Sequence, residues 1–242
     1  SRIQPKIASL AIQPLISILM PTYNGEVIWL RKAIESVLQQ TYPHWELCIA
    51  DDLSTNKNIK NIIQSFADKD SRIKCVYRTE NGHISASSNS GIEIATGEYI
   101  GLLDHDDLLT VDALYENVLA LNNDKEIDFI YSDEDKIDEE GKRTGPHFKP
   151  DYCPDNLLSR NYICHFSVIR ATLIRQVGGF NIGYEGSQDY DLFLRVSEIT
   201  NRIYHIPKVL YHWRIHSEST ALNMYTKPYA TNAAIKSLED VL

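Results

Sequence analysis

The chain has 242 residues, a formal net charge of −9 and a hydrophobic fraction of 43%. This length is enough for a sizeable apolar core, and we expect one large domain because no linker or repeat divides the sequence. The scattered lysines and arginines argue against a nucleic-acid-binding protein. No stretch reaches the roughly 18 continuous apolar residues of a membrane span, so any membrane association is expected to be peripheral.

The cysteines indicate a reducing environment. The chain contains four of them, and they lack the paired spacing of a zinc site. Cys48 and Cys75 lie within apolar runs, as buried reduced thiols commonly do. The N-terminus does not show the pattern of a signal peptide. These features together predict a cytoplasmic protein.

Residues 1–14 contain two prolines and no clear period, and we interpret them as an N-terminal arm. From residue 15 onward, apolar strand patterns alternate with patterns in which apolar residues recur at helical spacing. Strands are predicted at 15–20, 45–50, 73–77 and 98–103, and helices at 29–40, 59–66, 84–95 and 113–121. The alternation predicts an α/β fold with a largely parallel sheet and helices on both faces.

After a strand predicted at 127–131, the alternation becomes less regular through an acid-rich stretch at 132–136 and a turn at 140–141. Apolar residues return at 163–169. Further strands are predicted at 203–206 and 209–215, joined at Pro207, and further helices at 171–177, 186–196 and 227–242. We divide the chain into the arm, a domain at 15–220 and a C-terminal helix at 221–242. That helix has no C-cap signal, which is compatible with a chain that continues into a further domain.

An apolar strand within residues 97–107 leads directly into three carboxylates, those of Asp104, Asp106 and Asp107. Open α/β sheets bind their ligands at the carboxyl ends of the strands. Neighbouring carboxylates repel one another, and Mg²⁺ or Mn²⁺ would remove that repulsion and suit a diphosphate. On spacing alone, the alternative is that Asp106 or Asp107 caps a helix starting near Leu108.

His212 and His216 are four residues apart on a predicted strand, which places both on one face. His212 lies between Tyr211 and Trp213, and we expect a structural role for it. His216 lies at the end of the strand, where a ligand or a metal ion can reach it.

Seven ordered blocks across residues 15–220 resemble a family 2 glycosyltransferase. They are Pro21-Thr-Tyr-Asn24, Asp51-Asp-x-Ser54, Asn81-Gly to Asn89, Gly97-Glu-Tyr-Ile, Asp104-x-Asp106, Gly186-Ser-Gln-Asp-Tyr-Asp-Leu192 and Tyr211-His-Trp-Arg-x-His216. A lone Asp-x-Asp motif is weak evidence, whereas seven blocks in order are specific. The stretches 132–136 and 147–150 are similar to those of bacterial members that build surface polysaccharides of the O-antigen or capsule type, often as one module of a longer chain.

The resemblance implies a GT-A fold, a single Rossmann-like domain with a mostly parallel mixed sheet flanked by helices. Within it, residues 15–107 would form the nucleotide-binding half and 108–220 the acceptor half. The implied donor is a nucleotide sugar, a UDP-sugar in the first instance, with Mn²⁺ or Mg²⁺ and inversion at the anomeric carbon. The implied acceptor is a hydroxyl of a glycan or lipid-linked molecule, and its choice is expected to lie in residues 132–165. The protein itself is expected in the cytoplasm, at the inner face of the membrane.

The resemblance also implies roles for single residues. Tyr23 would flank the base, Asp52 would accept a hydrogen bond from it, and Asp104 would face the ribose or the sugar. Tyr23 as ordinary core and Asp52 as a turn former are the alternatives. Ser88 departs from the family, because many relatives have arginine there. The full set of implied nucleotide-binding residues is Pro21, Tyr23, Asn24, Asp52, Asn89 and Asp104.

On the same grounds, Asp106 and His216 are the implied metal ligands and Asp189 the implied general base. A helix cap is the alternative role for Asp189, although Ser187 and Asp191 also suit that role. Two other functions compete with glycosyl transfer. One is a sugar-nucleotide nucleotidyltransferase, which usually has a glycine-rich basic loop after its first strand, and the other is a catalytically silent carbohydrate-binding module.

Overall fold

The computed structural model describes residues 4–216 and 228–242. Most predicted elements are confirmed to within a few residues. In chain order the elements are α1 (Gln4–Ala8), β1 (Ile16–Thr22), α2 (Val27–Leu38), β2 (Trp45–Asp51), α3 (Lys57–Ala67), β3 (Ile73–Tyr77), α4 (His83–Ile94), β4 (Tyr99–Leu102), β5 (Leu108–Leu109), α5 (Ala113–Asn123), β6 (Phe129–Ile137), β7 (Arg143–His147), α6 (Pro154–Ser159), β8 (Ser167–Arg170), α7 (Ala171–Gln176), α8 (Gln188–Ser197), β9 (Ile203–Arg214) and α9 (Pro228–Glu239).

The strands form one mixed sheet of nine in the order β3-β2-β1-β4-β8-β6-β9-β5, with β7 paired to β6. The first four strands in sequence pair in parallel. Strand β8 then runs antiparallel to both β4 and β6, which joins the two halves of the sheet. Strand β9 is parallel to β6 and antiparallel to β5. The predicted mixed α/β architecture is therefore confirmed.

Helices cover both faces of the sheet. Alternate residues of β1 point to opposite sides, so Ile18 and Met20 pack in one apolar cluster with Leu30 of α2. Leu19 packs in a second cluster with Ile92 of α4. Burial on both faces explains why these strands are continuous apolar runs in the sequence rather than alternating ones.

Strand β6 is longer than predicted, because it continues through the acid-rich stretch to Ile137. Asp133, Glu134 and Asp135 are all buried within it. Carboxylates are disfavoured in a central strand unless they are paired. Each one has a partner from another element, in the pairs Asp133–His205 at 2.8 Å, Glu134–Lys149 at 3.0 Å and Asp135–Arg143 at 2.6 Å.

The two strands predicted on either side of Pro207 are one strand, β9. Ser132 pairs with Ile206 and Asp133 pairs with Val209, so Pro207 and Lys208 form a bulge between these pairs. A bulge is one of the few positions in a sheet that tolerates a residue without an amide hydrogen. The bulge thus lets β9 pass the proline and continue toward His216.

Two other regions differ from expectation, and one predicted boundary lies outside the described residues. No helix starts near Leu108, which begins the short strand β5, so the helix-cap role for Asp106 or Asp107 is wrong. The predicted arm contains α1. Helix α9 confirms most of the predicted C-terminal helix, whereas the predicted boundary at residue 220 lies outside the described residues. Within the described ranges, no helix is long and apolar enough to cross a membrane.

Close backbone packing at the start of β4 requires Gly97. A Cβ atom there would lie 2.6 Å from Ser17 Oγ and 2.7 Å from the carbonyl oxygen of Leu15. Because backbone atoms cannot move aside, we expect Gly97→Ala to lower the free energy of unfolding by about 1–3 kcal/mol, the usual cost of overpacking. Urea denaturation measures this. The exposed Glu93→Ala on α4 is the control, with an expected change within about 0.5 kcal/mol, and an unchanged midpoint for Gly97→Ala would contradict the packing.

Candidate active site

The acid cluster lies at the carboxyl end of β4. Strands β1, β2 and β4 are parallel neighbours, so the loops that follow them meet at one edge of the sheet. The amide of Leu103 still donates to the carbonyl of Leu19, and the chain then leaves the sheet at Asp104. This is the edge at which open α/β sheets bind ligands.

Asp106 and His216 come together at this edge, although they are 110 positions apart in the sequence. His216 Nε2 lies 3.0 Å from Asp106 Oδ2, and the His216 ring packs 4.8 Å from the ring of Trp29. Burial by itself would raise the pKa of Asp106, but the hydrogen bond from His216 and the nearby charge of His105 hold it below its usual value. Asp106 is therefore an ionised carboxylate beside an imidazole.

Asp107 ties the loop to β9. Its Oδ2 accepts a hydrogen bond from the Tyr211 hydroxyl at 2.6 Å, and its Oδ1 accepts one from the amide of Arg214 at 2.7 Å. Burial raises the pKa of Asp107 well above its usual value, and the charges of Asp106 and Asp104 raise it further. With both oxygens used in this way, Asp107 has a structural role.

Asp104 faces His165, a residue that the sequence did not single out. His165 Nε2 lies 3.9 Å from Asp104 Oδ2, and 43% of the Asp104 side chain is exposed. The His165 ring stacks on Tyr211 with a centroid separation of 4.6 Å. Desolvation would lower the pKa of His165, but the Glu134 carboxylate, whose Oε2 lies 3.3 Å from His165 Nδ1, raises that pKa to about 9. A cationic imidazole therefore lies against the acid cluster at neutral pH.

Asp189 lies in the first turn of α8. Its Oδ2 accepts a hydrogen bond from Asn161 Nδ2 at 2.9 Å. Its charge is among those that raise the pKa of Asp104, after desolvation and the opposing effect of His165, so the two carboxylates are electrostatically coupled. Asp191, which the sequence offered for a capping role, is buried and pairs with Arg195 at 2.5 Å.

Four of the six residues predicted to bind the nucleotide lie at the ends of β1 and β2, namely Pro21, Tyr23, Asn24 and Asp52. Pro21 is buried in β1, whereas Tyr23 is 48% exposed. Asn24 joins the two loops, because its side-chain oxygen accepts hydrogen bonds from the amides of Thr55 at 2.8 Å and Asn56 at 3.1 Å. The half-exposed Tyr23 lies next to this junction in the chain.

Asp52 and Asn89 are engaged with the protein itself. Asp52 accepts from Arg78 Nε at 2.7 Å and from the amide of Gly82 at 3.0 Å. Asn89 donates to the Phe180 carbonyl and accepts from the Phe180 amide, both at 2.8 Å. The structure thus gives both residues a structural contact, and their roles in nucleotide binding remain predictions.

Arg78 is a further residue that the sequence did not single out. Besides Asp52, its guanidinium reaches the Ser90 hydroxyl at 2.6 Å on α4, the helix that carries Ser88. An arginine thus lies beside this helix, even though the chain has Ser88 where the family resemblance implies an arginine. No motif or spacing marks it, because the interaction depends on the meeting of β3 and α4.

The sequence pattern described as "Glycosyl transferase family 2" matches residues 17–178. The chain belongs to this family. It is 46% identical over 243 residues to the "uncharacterized protein y4gI" of Sinorhizobium fredii, which covers 100% of this chain and 27% of that protein. It is 37% identical over 239 residues to the O-antigen biosynthesis protein RfbC of Myxococcus xanthus, at 99% of this chain and 19% of that protein. The chain therefore spans less than a third of these two relatives.

Solved structures of glycosyltransferases share the fold. Residues 1–349 of Staphylococcus aureus TarS in complex with UDP-GlcNAc superpose with a TM-score of 0.75 at 18% identity, over 93% of this chain and 66% of that one. The mannosyltransferase PcManGT of Pyrobaculum calidifontis, in complex with GDP-Man and Mn²⁺, gives a TM-score of 0.71 at 18% identity, over 95% of this chain and 66% of that one. The predicted GT-A fold is confirmed.

The donor groups of this family 2 site suit a divalent cation. Asp106 and His216 offer a carboxylate and an imidazole at 3.0 Å, and an ion could replace their hydrogen bond. Possible ligand atoms of Asp104, Asp107 and His165 also lie within 4.8 Å of one another, but the Asp107 oxygens already accept two hydrogen bonds. Carboxylate oxygens suit both Mg²⁺ and Mn²⁺, so these residues fit a divalent cation of this kind.

The His165–Glu134 pair predicts a pH-dependent stability. The pKa of His165 is raised to about 9, so its contribution is complete below its ordinary value of 6.5 and is lost as the pH rises through 9. The pKa of Glu134 is lowered, so its contribution is lost only as the pH falls below its ordinary range. We therefore expect the stability difference between wild type and His165→Gln to be largest near about pH 6 and to decrease toward about pH 9.5.

Urea unfolding of the metal-free proteins at several pH values measures this difference. The matched control is His165→Gln in a Glu134→Gln background, where the decrease should become smaller because the main charge that raises the His165 pKa is absent while Asp104 and Asp107 remain. A stability difference that grows with pH would contradict the assignment.

Proposed function

We propose that this domain is an inverting glycosyltransferase that moves a sugar from a nucleoside-diphosphate sugar to a hydroxyl of a glycan or lipid-linked acceptor. The observation that carries the proposal is the approach of Asp106 to His216, at 3.0 Å, beside Asp104 and the carboxyl end of β4. Family membership supports glycosyl transfer over nucleotidyl transfer. Asp106 and Asp189 argue against a catalytically silent binding module, because such a module needs neither a metal ligand nor a general base.

The donor and the pathway are inferred from the relatives. TarS is in complex with UDP-GlcNAc, and we propose a UDP-sugar for this chain. RfbC is named as an O-antigen biosynthesis protein, which supports a role in bacterial surface polysaccharide synthesis. Because the chain spans 19% of RfbC, we propose that it acts as one module of a larger transferase. Its place would be the cytoplasm, with peripheral association at the inner face of the membrane.

The nucleoside is proposed to bind where the loops after β1 and β2 meet. The half-exposed ring of Tyr23 would stack on the base, and Pro21 and Asn24 hold the loop that carries it. Asp52 keeps acceptor capacity for the base, since a carboxylate has about four lone-pair sites and Arg78 and Gly82 do not use all of them. Asn89 would contribute to nucleotide binding indirectly, by fixing the loop at Phe180 through its hydrogen bond to the Phe180 carbonyl.

Asp106 and His216 would hold the divalent ion, Mn²⁺ or Mg²⁺. When bound, such an ion neutralises the charge that develops on the leaving diphosphate. Asp104 would orient the ribose or the sugar through its exposed carboxylate. Asp106 is ionised before any ligand arrives, so it can bind a cation without first losing a proton.

Asp189 would serve as the general base. The acceptor oxygen forms a bond to the anomeric carbon while the bond from that carbon to the diphosphate oxygen breaks. The hydroxyl proton passes to Asp189, and the nucleoside diphosphate leaves with the electron pair of the broken bond. Attack and departure on opposite faces of the sugar invert the configuration. One Asp189 oxygen is held by Asn161, which leaves the other to receive the proton.

Metal dependence is tested at Asp106. We expect UDP to bind wild type at least about tenfold more tightly with Mn²⁺ than without it, because Asp106 and His216 would hold an ion that offsets the negative charge of the diphosphate. Asp106→Ala should remove this difference. Calorimetry with and without Mn²⁺ measures both affinities, and exposed Glu93→Ala is the control. If wild type binds UDP equally well with and without Mn²⁺, or if Asp106→Ala retains the metal effect, the assignment of Asp106 as a metal ligand is wrong.

The base is tested at Asp189. Asp189→Asn keeps the shape of the side chain and removes only the proton acceptor, so sugar transfer should fall by about 10²–10⁴ while UDP and Mn²⁺ still bind. Single-turnover transfer and calorimetry measure the two effects, after melting curves confirm that the variant is folded. Near-normal transfer would assign Asp189 to a structural role, and a collapse of UDP affinity would place it on the donor side.

A further inference from the structure

Residues 161–165 form a turn between α6 and β8 that touches both sides of the site. The amide of Cys164 donates to Asn161 Oδ1 at 3.3 Å, and the Cys164 thiol donates to the Asn161 carbonyl at 3.4 Å. Cys164 has a φ of 42°, in the left-handed region that non-glycine residues adopt rarely. The turn is thus closed on itself, with Asn161 at its start and His165 at its end.

Asn161 faces the acceptor side. Its Nδ2 donates to Asp189 Oδ2 at 2.9 Å, while its Oδ1 is held by the amide of Cys164. Because both ends of the amide group are used, the orientation of Asn161 is fixed. Asn161 therefore fixes Asp189 Oδ2. Because the carboxylate is planar, this contact also restricts the position of Asp189 Oδ1.

His165 faces the donor side. Its Nδ1 lies 3.3 Å from Glu134 Oε2, and its Nε2 lies 3.9 Å from Asp104 Oδ2. The ring is stacked on Tyr211, whose hydroxyl is bonded to Asp107. With one ring nitrogen toward Glu134 and the ring face against tyrosine, the Nε2 edge is directed at the acid cluster.

The buried ion pair between Lys149 and Glu134 holds the turn in place. Lys149, whose side chain is 0% exposed, pairs with Glu134 at 3.0 Å. Its Nζ also donates to the carbonyl of Ile163 at 2.6 Å and to the carbonyl of His165. Glu134 accepts from the His165 amide at 3.0 Å. A buried ammonium group is costly unless it is paired and hydrogen-bonded, and here all of its partners belong to Glu134 or the turn.

We infer that this turn sets the spacing between the two sides of the reaction. Asn161 is a positioning residue for Asp189, and His165 is a donor-side residue whose Nε2 contacts an oxygen of the nucleoside diphosphate. Lys149 and Glu134, from the stretches 147–150 and 132–136, anchor the turn. This inference rests on the proposed function, because it takes Asp189 as the base and the acid cluster as the donor side.

The inference predicts that two variants of the same turn change different quantities, one kcat and the other the affinity for UDP. Asn161→Ala should lower kcat about tenfold, the loss of one hydrogen bond to a charged group, and leave the affinity for UDP with Mn²⁺ unchanged. His165→Ala should weaken UDP affinity about tenfold with Mn²⁺ present, and His165→Gln, which retains an N–H donor, should recover part of it. Titration calorimetry and steady-state transfer measure the affinity and kcat.

Exposed residues of the same types, Asn201→Ala and His44→Ala, are the controls, since both precede their strands at the opposite edge of the sheet. Melting curves identify any variant that fails to fold, and in that case Asn161→Asp and His165→Gln replace the alanine variants. A merely structural turn would change kcat, UDP affinity and melting temperature together in both variants. That outcome, or no change in either, overturns the inference.

Wild type and Asp189→Asn, measured alongside, separate this inference from the proposed function. If wild type transfers sugar and Asp189→Asn does not, but Asn161→Ala and His165→Ala do not show the crossed pattern, the turn has no such role and the proposed function stands. If wild type neither transfers sugar nor binds UDP with Mn²⁺, the proposed function is wrong and the inference falls with it.

Discussion

Charge compensation within β6 is the constraint on which the second half of the molecule depends. Three consecutive carboxylates are buried in this strand, and a buried carboxylate without a partner costs several kcal/mol. Their partners come from β7, from β9 and from the segment that follows β7, so neutralising the strand also fixes these elements around it. The stretch 132–136 thus contributes to the candidate site indirectly, because Glu134 holds Lys149 and His165 in place.

The elements that the sequence predicts well are those whose signals are local. The strand expected at 73–77 is found at Ile73–Tyr77, because a short apolar run with a polar boundary on each side needs no distant partner. Strand β6 was predicted too short, because its acids become compatible with a strand only through partners such as His205, which lies 72 positions away. The bulge at Pro207 was missed for the same reason, since it is defined by pairing with β6.

The residues of the candidate site also fall into those that a sequence motif indicates and those that only distant contacts identify. Asp106, His216 and Asp189 lie in motifs and could be selected from the sequence, and the structure brings the first two to hydrogen-bonding distance. Asn161 and His165 lie in no motif. Their surroundings come from contacts with Asp189, 28 positions away, and Glu134, 31 positions away, and no periodicity or spacing encodes such contacts.

In the proposed function, the electrostatics of the site would couple the nucleotide to a cation. The chain has a net charge of −9, and Asp104 and Asp106 would face a donor whose diphosphate is itself anionic. His165, with a pKa of about 9, compensates part of this charge but lies against Asp104 rather than Asp106. A divalent ion at Asp106 would supply the remainder, and a diphosphate would in turn complete the coordination of that ion. Because such coupling is reciprocal, the nucleotide should raise the affinity for the ion by the same factor as the ion raises the affinity for the nucleotide.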